Sequence, residues 1–132
     1  MKWVSKGKKK TYSITRFKNS FKNAIDGIIS AFKTEQNLLI HFLGLLINII
    51  LFFVLDLSLI EMCIIIFVCV LIISLEMVNT AIEYSVDMAM PQIHPLAKIS
   101  KDVASGAVLI SCMGAIAIGI IIYLPKILAF FS

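Results

Sequence analysis

The chain has 132 residues, of which 60% are hydrophobic and only 15% charged. A mean hydropathy of +0.99 excludes an ordinary water-soluble domain and makes the bilayer the natural solvent, while the length allows one compact domain. Charge is distributed unevenly: nine of the twelve Lys and Arg residues fall within the first 33 positions.

Residues 1–13 begin "MKWVSKGKKK" and read as a flexible basic tail, too polar to pack. Beside lipid, such a tail is expected to contact anionic headgroups on the cytoplasmic side, with no nucleic-acid partner. A signal peptide is not expected, because the basic stretch is too long and no small-residue cleavage site follows the first hydrophobic run. Over 14–33, Ile14, Phe17, Phe21, Ile25, Ile28, Ile29 and Phe32 recur at helical steps, with Arg16, Lys18, Asn19, Lys22, Asn23 and Asp26 opposite. This pattern predicts an N-terminal amphipathic surface helix in the membrane interface. A helix packed on a partner protein is the alternative.

Three transmembrane helices are predicted next, at 38–55, 59–88 and 103–124. The whole chain is thus expected to be a single all-α membrane domain. "DLSL" makes a very short turn between the first two spans. The second is longer than the hydrocarbon core of about 30 Å requires, so its far end should protrude into the interface. "MPQIHP" then breaks the helix, since each proline disfavours helix at the residue before it. Lys98 and Lys101 put the 89–102 loop with the N-terminus on the cytoplasmic side, and the lysine-free 56–58 turn outside.

The long second helix carries the feature that needs explaining. Glu76, Asn79, Glu83 and Asp87 project within an arc of about 80° at its cytoplasmic end. Acids at membrane depth are costly and usually face a cavity or a partner. Hydrogen-bonded glue between helices is the bland alternative. Carboxylates at this interface suit Mg²⁺, which takes oxygen ligands and is completed by water and substrate phosphates. A deeper acid could accept a proton from a hydroxyl. Lys98, Lys101 and Asp102 stand across the loop, where lysines neutralise phosphate charge. Together the residues suit phosphoryl transfer to a membrane-embedded alcohol.

Other motifs are absent or bland. The chain has no P-loop and no G-x-G-x-x-G. Ala107, Ser111, Ala115 and Gly119 make a small-residue stripe for close helix packing. Cys63, Cys69 and Cys112 lie in apolar runs and read as small hydrophobes rather than disulfides or ligands.

"EMVNTAIEYSVD" followed by "HPLAKISKDVASGAV" resembles the signature of the small prokaryotic diacylglycerol kinases and undecaprenol kinases. The similarity also takes in Arg16 to Gly27 and "TEQN" at 34–37, so it spans about Arg16 to Leu109. The resemblance implies an ATP-dependent lipid kinase with Glu76 as catalytic base and Glu35 and Glu83 holding Mg²⁺. It implies support from Asn79 and Asp87, and nucleotide contacts from Glu35, Glu83, Gln92, Ile93, His94, Lys101 and Asp102. Arg16 and Ser105 would line the lipid entry. It further implies a homotrimer with shared active sites, in a bacterial plasma membrane. Some members carry another acid where this chain has His41, which fits the Gram-positive branch and its preference for undecaprenol over diacylglycerol. A small oligomeric channel or transporter is the alternative of another class. Against it, past Glu61 at the turn the outer half of the second helix is bare of polar groups, and the first span offers only Asn48.

Overall fold

The computed structural model describes residues 13–92 and 94–132. They form four helices: α1 (Ile14–Thr34), α2 (Gln36–Val54), α3 (Leu59–Ala89) and α4 (Pro95–Phe130). The fold is all-α, and α2, α3 and α4 are each long and apolar enough to cross a membrane. α3 is central and touches the other three helices, most extensively α4. The basic tail, up to residue 12, and Ile93 lie outside the described residues.

Each junction has a local cause. α1 and α2 are separated by one extended residue, Glu35, at φ −110° and ψ 109°. Its backbone N–H still bonds the Ala31 carbonyl at 2.9 Å, while its side chain makes no cap and stays available. α2 stops where Asp56 adopts φ 48°, a left-handed conformation that Asp tolerates better than most residues. The Leu57 N–H then reaches back to the Phe52 carbonyl at 3.2 Å, and the two side chains pack together, as in a Schellman stop. α3 starts two residues later on a capping box. Ser58 Oγ accepts from the Glu61 N–H, and the Glu61 carboxylate accepts from the Ser58 N–H at 2.7 Å.

α4 is longer at both ends than the span expected at 103–124. Pro95 occupies its first turn, where a missing N–H costs nothing, and His94 Nδ1 accepts from the Leu96 N–H at 3.2 Å. Lys98, Lys101 and Asp102 are therefore helical rather than loop residues. At the other end the helix runs through Pro125, which lacks the N–H that would bond the carbonyl four residues back.

The small core lies at the turn end of the bundle, where Leu57, Ile65 and Ile122 are buried against Phe52, Leu55 and Tyr123. Nearby, Tyr123 Oη donates to Asn48 Oδ1, and Asn48 Nδ2 donates to the Gly44 carbonyl at 2.7 Å. The polar group of the first span is thus satisfied inside the bundle. Lys126 donates to the Asp56 carbonyl at 3.0 Å and lies 3.5 Å from the Glu61 carboxylate. Most of the remaining apolar side chains stay exposed, including Ile14, Phe17 and Phe21 of α1. In lipid such surface needs no cover, because bilayer chains are as apolar as the side chains.

Candidate active site

The acidic row of α3 leads into a cavity of about 490 Å³ at the end of the bundle away from the core. Glu35 contributes from the α1–α2 junction, Asn37 and His41 from α2, Glu76, Asn79 and Glu83 from α3, and Ser105, Val108, Leu109 and Cys112 from α4. α3 places Glu76, Asn79 and Glu83 there because steps of three and four keep one helical face. α4 does the same with 105, 108, 109 and 112. One wall of the cavity is therefore polar and the α4 wall is largely apolar.

Glu76 is the deepest acid and only 3% exposed. No side-chain hydrogen bond or ion pair ties its carboxylate to another described residue. Its backbone carbonyl instead accepts from Thr80 Oγ1 at 3.0 Å. Asn79, 8% exposed, donates from Nδ2 to Glu83 Oε1 at 3.0 Å. That bond commits the amide nitrogen, and Asn79 Oδ1 is left buried without a partner. Buried polar atoms are rarely orphaned, so an unpaired acceptor on a cavity wall marks a place for a donor.

A second cavity, about 300 Å³, gathers the remaining nucleotide candidates: Gln92, His94, Lys101 and Asp102, with Asp87, Pro91 and Lys98. Lys101 Nζ bonds both carboxylate oxygens of Asp87, at 2.7 and 2.9 Å. Lys98 pairs with Asp102 one helical turn on. The expected single polar line along α3 is thus divided. Glu76, Asn79 and Glu83 face the first cavity, and Asp87 turns to the second. Arg16 lies exposed on α1 and lines neither cavity. Ile93 is outside the described residues. A larger groove, about 540 Å³, runs along the opposite face of α3 past Val78, Ile82, Val86 and Leu96, and holds no ionisable side chain.

His41 and Cys112 line the first cavity but were not among the expected site residues. Both sit in otherwise apolar stretches of other helices, so nothing in their own periodicity sets them apart. The cysteines are all free, and Cys63 is exposed rather than buried.

Residues 22–123 match the family described as prokaryotic diacylglycerol kinase. The chain belongs to that family. It is therefore a lipid kinase, and every expected site residue except Arg16 falls inside the matched stretch. It is 40% identical over 114 residues to an undecaprenol kinase of Bacillus subtilis (strain 168), covering 86% of this chain and 93% of that one. A diacylglycerol kinase of Synechocystis sp. is 38% identical over 112 residues, 83% of this chain and 63% of the relative. One of Pseudomonas aeruginosa is 36% identical over 98 residues, 71% and 76% of the two chains.

Proposed function

We propose that this kinase transfers the γ-phosphoryl group of ATP to the hydroxyl of undecaprenol, giving undecaprenyl phosphate, at the cytoplasmic face of a bacterial plasma membrane. The observation that carries the reading is the one cavity that gathers Glu35, Glu76, Asn79 and Glu83 beside Ser105. The residues also suit Mg²⁺. They offer hard oxygen donors, and Asn79 Oδ1 is an unpartnered acceptor among them. Among the described residues no three His, Cys, Asp or Glu side chains converge as a cage. A site of two carboxylates completed by phosphates and water does not require one. In this reading Glu35 and Glu83 hold the ion, which when bound offsets charge on the transferring phosphoryl group.

Glu76 accepts the proton of the lipid hydroxyl as its oxygen forms the bond to the γ-phosphorus. The bond to the bridging oxygen breaks, and ADP leaves. Asn79 holds Glu83 in place through its amide hydrogen bond. The second cavity takes the nucleotide, with Lys101 and Asp102 at its phosphates and Gln92, Ile93 and His94 toward the adenosine. Ser105 and Arg16 stand at the lipid entry, with α1 lying in the interface. The apolar α4 wall of Val108 and Leu109 suits the chain next to the reacting hydroxyl. A homotrimer with shared active sites, as the family resemblance implies, completes the reading.

The B. subtilis relative, matched over 93% of its length, supports undecaprenol as acceptor. The Synechocystis and Pseudomonas relatives support diacylglycerol, giving phosphatidic acid, as the second reading. A channel is disfavoured, because Asn48 is occupied by Tyr123 and Gly44 rather than lining a path. Phosphorylation of the two alcohols side by side in mixed micelles, with purified protein and ATP, tests the proposal. Faster transfer to diacylglycerol overturns the undecaprenol assignment, and transfer to neither overturns the site.

A further inference from the structure

Two acceptors on the α3 wall of the first cavity lack donors. Asn79 Oδ1 is buried without a partner, and the Glu76 carboxylate, 3% exposed, has no side-chain partner among the described residues. The donor that accompanies them, Asn79 Nδ2, is committed to Glu83. A phosphoryl group in transfer carries only acceptor oxygens, so this wall offers it nothing but charge of its own sign. Its oxygens need donors, and the lysines line the other cavity.

The start of α2 supplies them. Asn37 and His41 sit one helical turn apart and both line the first cavity. Neither side chain makes a hydrogen bond or ion pair with another described residue. The Asn37 amide brings two N–H donors, and the His41 ring brings one in either neutral tautomer. Asn37 also belongs to the first turn of α2, which receives no side-chain cap from Glu35. Such a helix start carries partial positive charge and favours an anion. The turn is firmly held. Leu38 is fully buried, and the rings of Phe32 and Phe42 meet edge to face with centroids 5.6 Å apart. Donors fixed in advance are the ones that stabilise charge as it develops. The α4 wall is poorer: Cys112 offers a thiol, a weak donor, and Ser105 stands at the lipid entry in the reading above.

We infer that Asn37 and His41 clamp the phosphoryl group in flight, donating to its peripheral oxygens while the start of α2 adds its partial charge. The inference rests on the proposed transfer in this cavity. There the lipid hydroxyl gives its proton to Glu76, its oxygen bonds the γ-phosphorus, and the bond to the ADP oxygen breaks. The α3 wall then serves the hydroxyl and the α2 wall serves the phosphoryl oxygens. Lys101 and Asp102 stay with the nucleotide phosphates in the second cavity.

The test measures kcat/KM for ATP, KM for the lipid alcohol, and ADP affinity by displacement of trinitrophenyl-ATP, on the purified full chain in detergent micelles. Asn37→Ala and His41→Leu should each lower kcat/KM for ATP about tenfold, the scale of one hydrogen bond to a charged group. ADP affinity and the lipid KM should stay parental, because neither involves the γ-phosphoryl group. Asn37→Gln and His41→Gln, which keep an N–H donor, should recover most of the loss. Parental kcat/KM in Asn37→Ala and His41→Leu overturns the clamp. So does damage to ADP affinity or the lipid KM as severe as that to kcat/KM, or donor-keeping variants no better than donorless ones, since either marks a structural role. Glu76→Gln measured alongside separates the levels: if it too is parental, the reading of this cavity as the transfer site falls with the clamp.

Discussion

Replacing Glu76 by Gln is the sharpest probe of the chemistry. The side chain is 3% exposed and lines the cavity, and its carboxylate has no side-chain partner among the described residues. Gln matches the size and keeps the Thr80 bond, which goes to the backbone carbonyl. It cannot accept the proton. General-base catalysis typically contributes about 10²–10⁴-fold, so turnover should fall by that factor, equivalent to roughly 3–5 kcal/mol in the barrier. Nucleotide affinity and the Mg²⁺ requirement should barely change, because Glu35, Asn79 and Glu83 are untouched. Assembly should hold or improve slightly, since a buried carboxylate without a hydrogen-bond partner is itself unfavourable. An acid that glued helices together would behave differently. Its loss would cost about 0.6–2 kcal/mol of assembly and leave turnover per oligomer largely intact. Turnover, nucleotide affinity and detergent-resistant oligomer measured on one preparation distinguish these. Near-parental turnover from an intact oligomer refutes Glu76 as the base.

Glu35→Gln and Glu83→Gln should each raise the Mg²⁺ needed for half-maximal activity, with Glu83→Gln still able to accept from Asn79; unchanged Mg²⁺ titrations remove both from the metal site. With the native cysteines replaced, a cysteine at Pro95 should be shielded from an impermeant thiol reagent in intact cells and one at Ser58 should react. Labelling at 95 instead would put the site on the wrong side for ATP. Tyr123→Phe deprives Asn48 Oδ1 of its donor and should lower stability in detergent by about 0.6–1.7 kcal/mol without altering kcat, which a denaturation midpoint and a rate on the same sample check.

The helices were legible because the bilayer imposes a simple rule: long apolar runs, broken at "DLSL" and "MPQIHP". The extent of α4 was not legible. Lys98, Lys101 and Asp102 look like a loop to a hydropathy reading, yet a helix outside the hydrocarbon tolerates charge, and the His94 cap with Pro95 starts it early. The expected span ended at 124, and α4 continues through Pro125 to Phe130. For the site, the i,i+3,i+4 spacing of Glu76, Asn79 and Glu83 was enough to place three groups on one face. Glu35 needed the family resemblance. His41 and Cys112 face the same cavity only because α2 and α4 pack around α3, and single-helix periodicity carries no information about that. The division of the acidic row was hidden for the same reason, since Asp87 is drawn aside by a lysine fourteen residues away.

The contact of Lys126 with Glu61 and the Asp56 carbonyl bears on biogenesis. Lys98 and Lys101 lie near one end of α4 and Lys126 near the other, some 37 Å away along the axis at about 1.5 Å per residue. Whichever way the chain threads the membrane, a lysine of α4 must be carried across. Sending Lys126 moves a single charge, and α3, which precedes α4 in the chain, already holds the acid that receives it. A translocated Lys126 would end its passage paired with Glu61, so the arrangement favours that direction of insertion over its reverse.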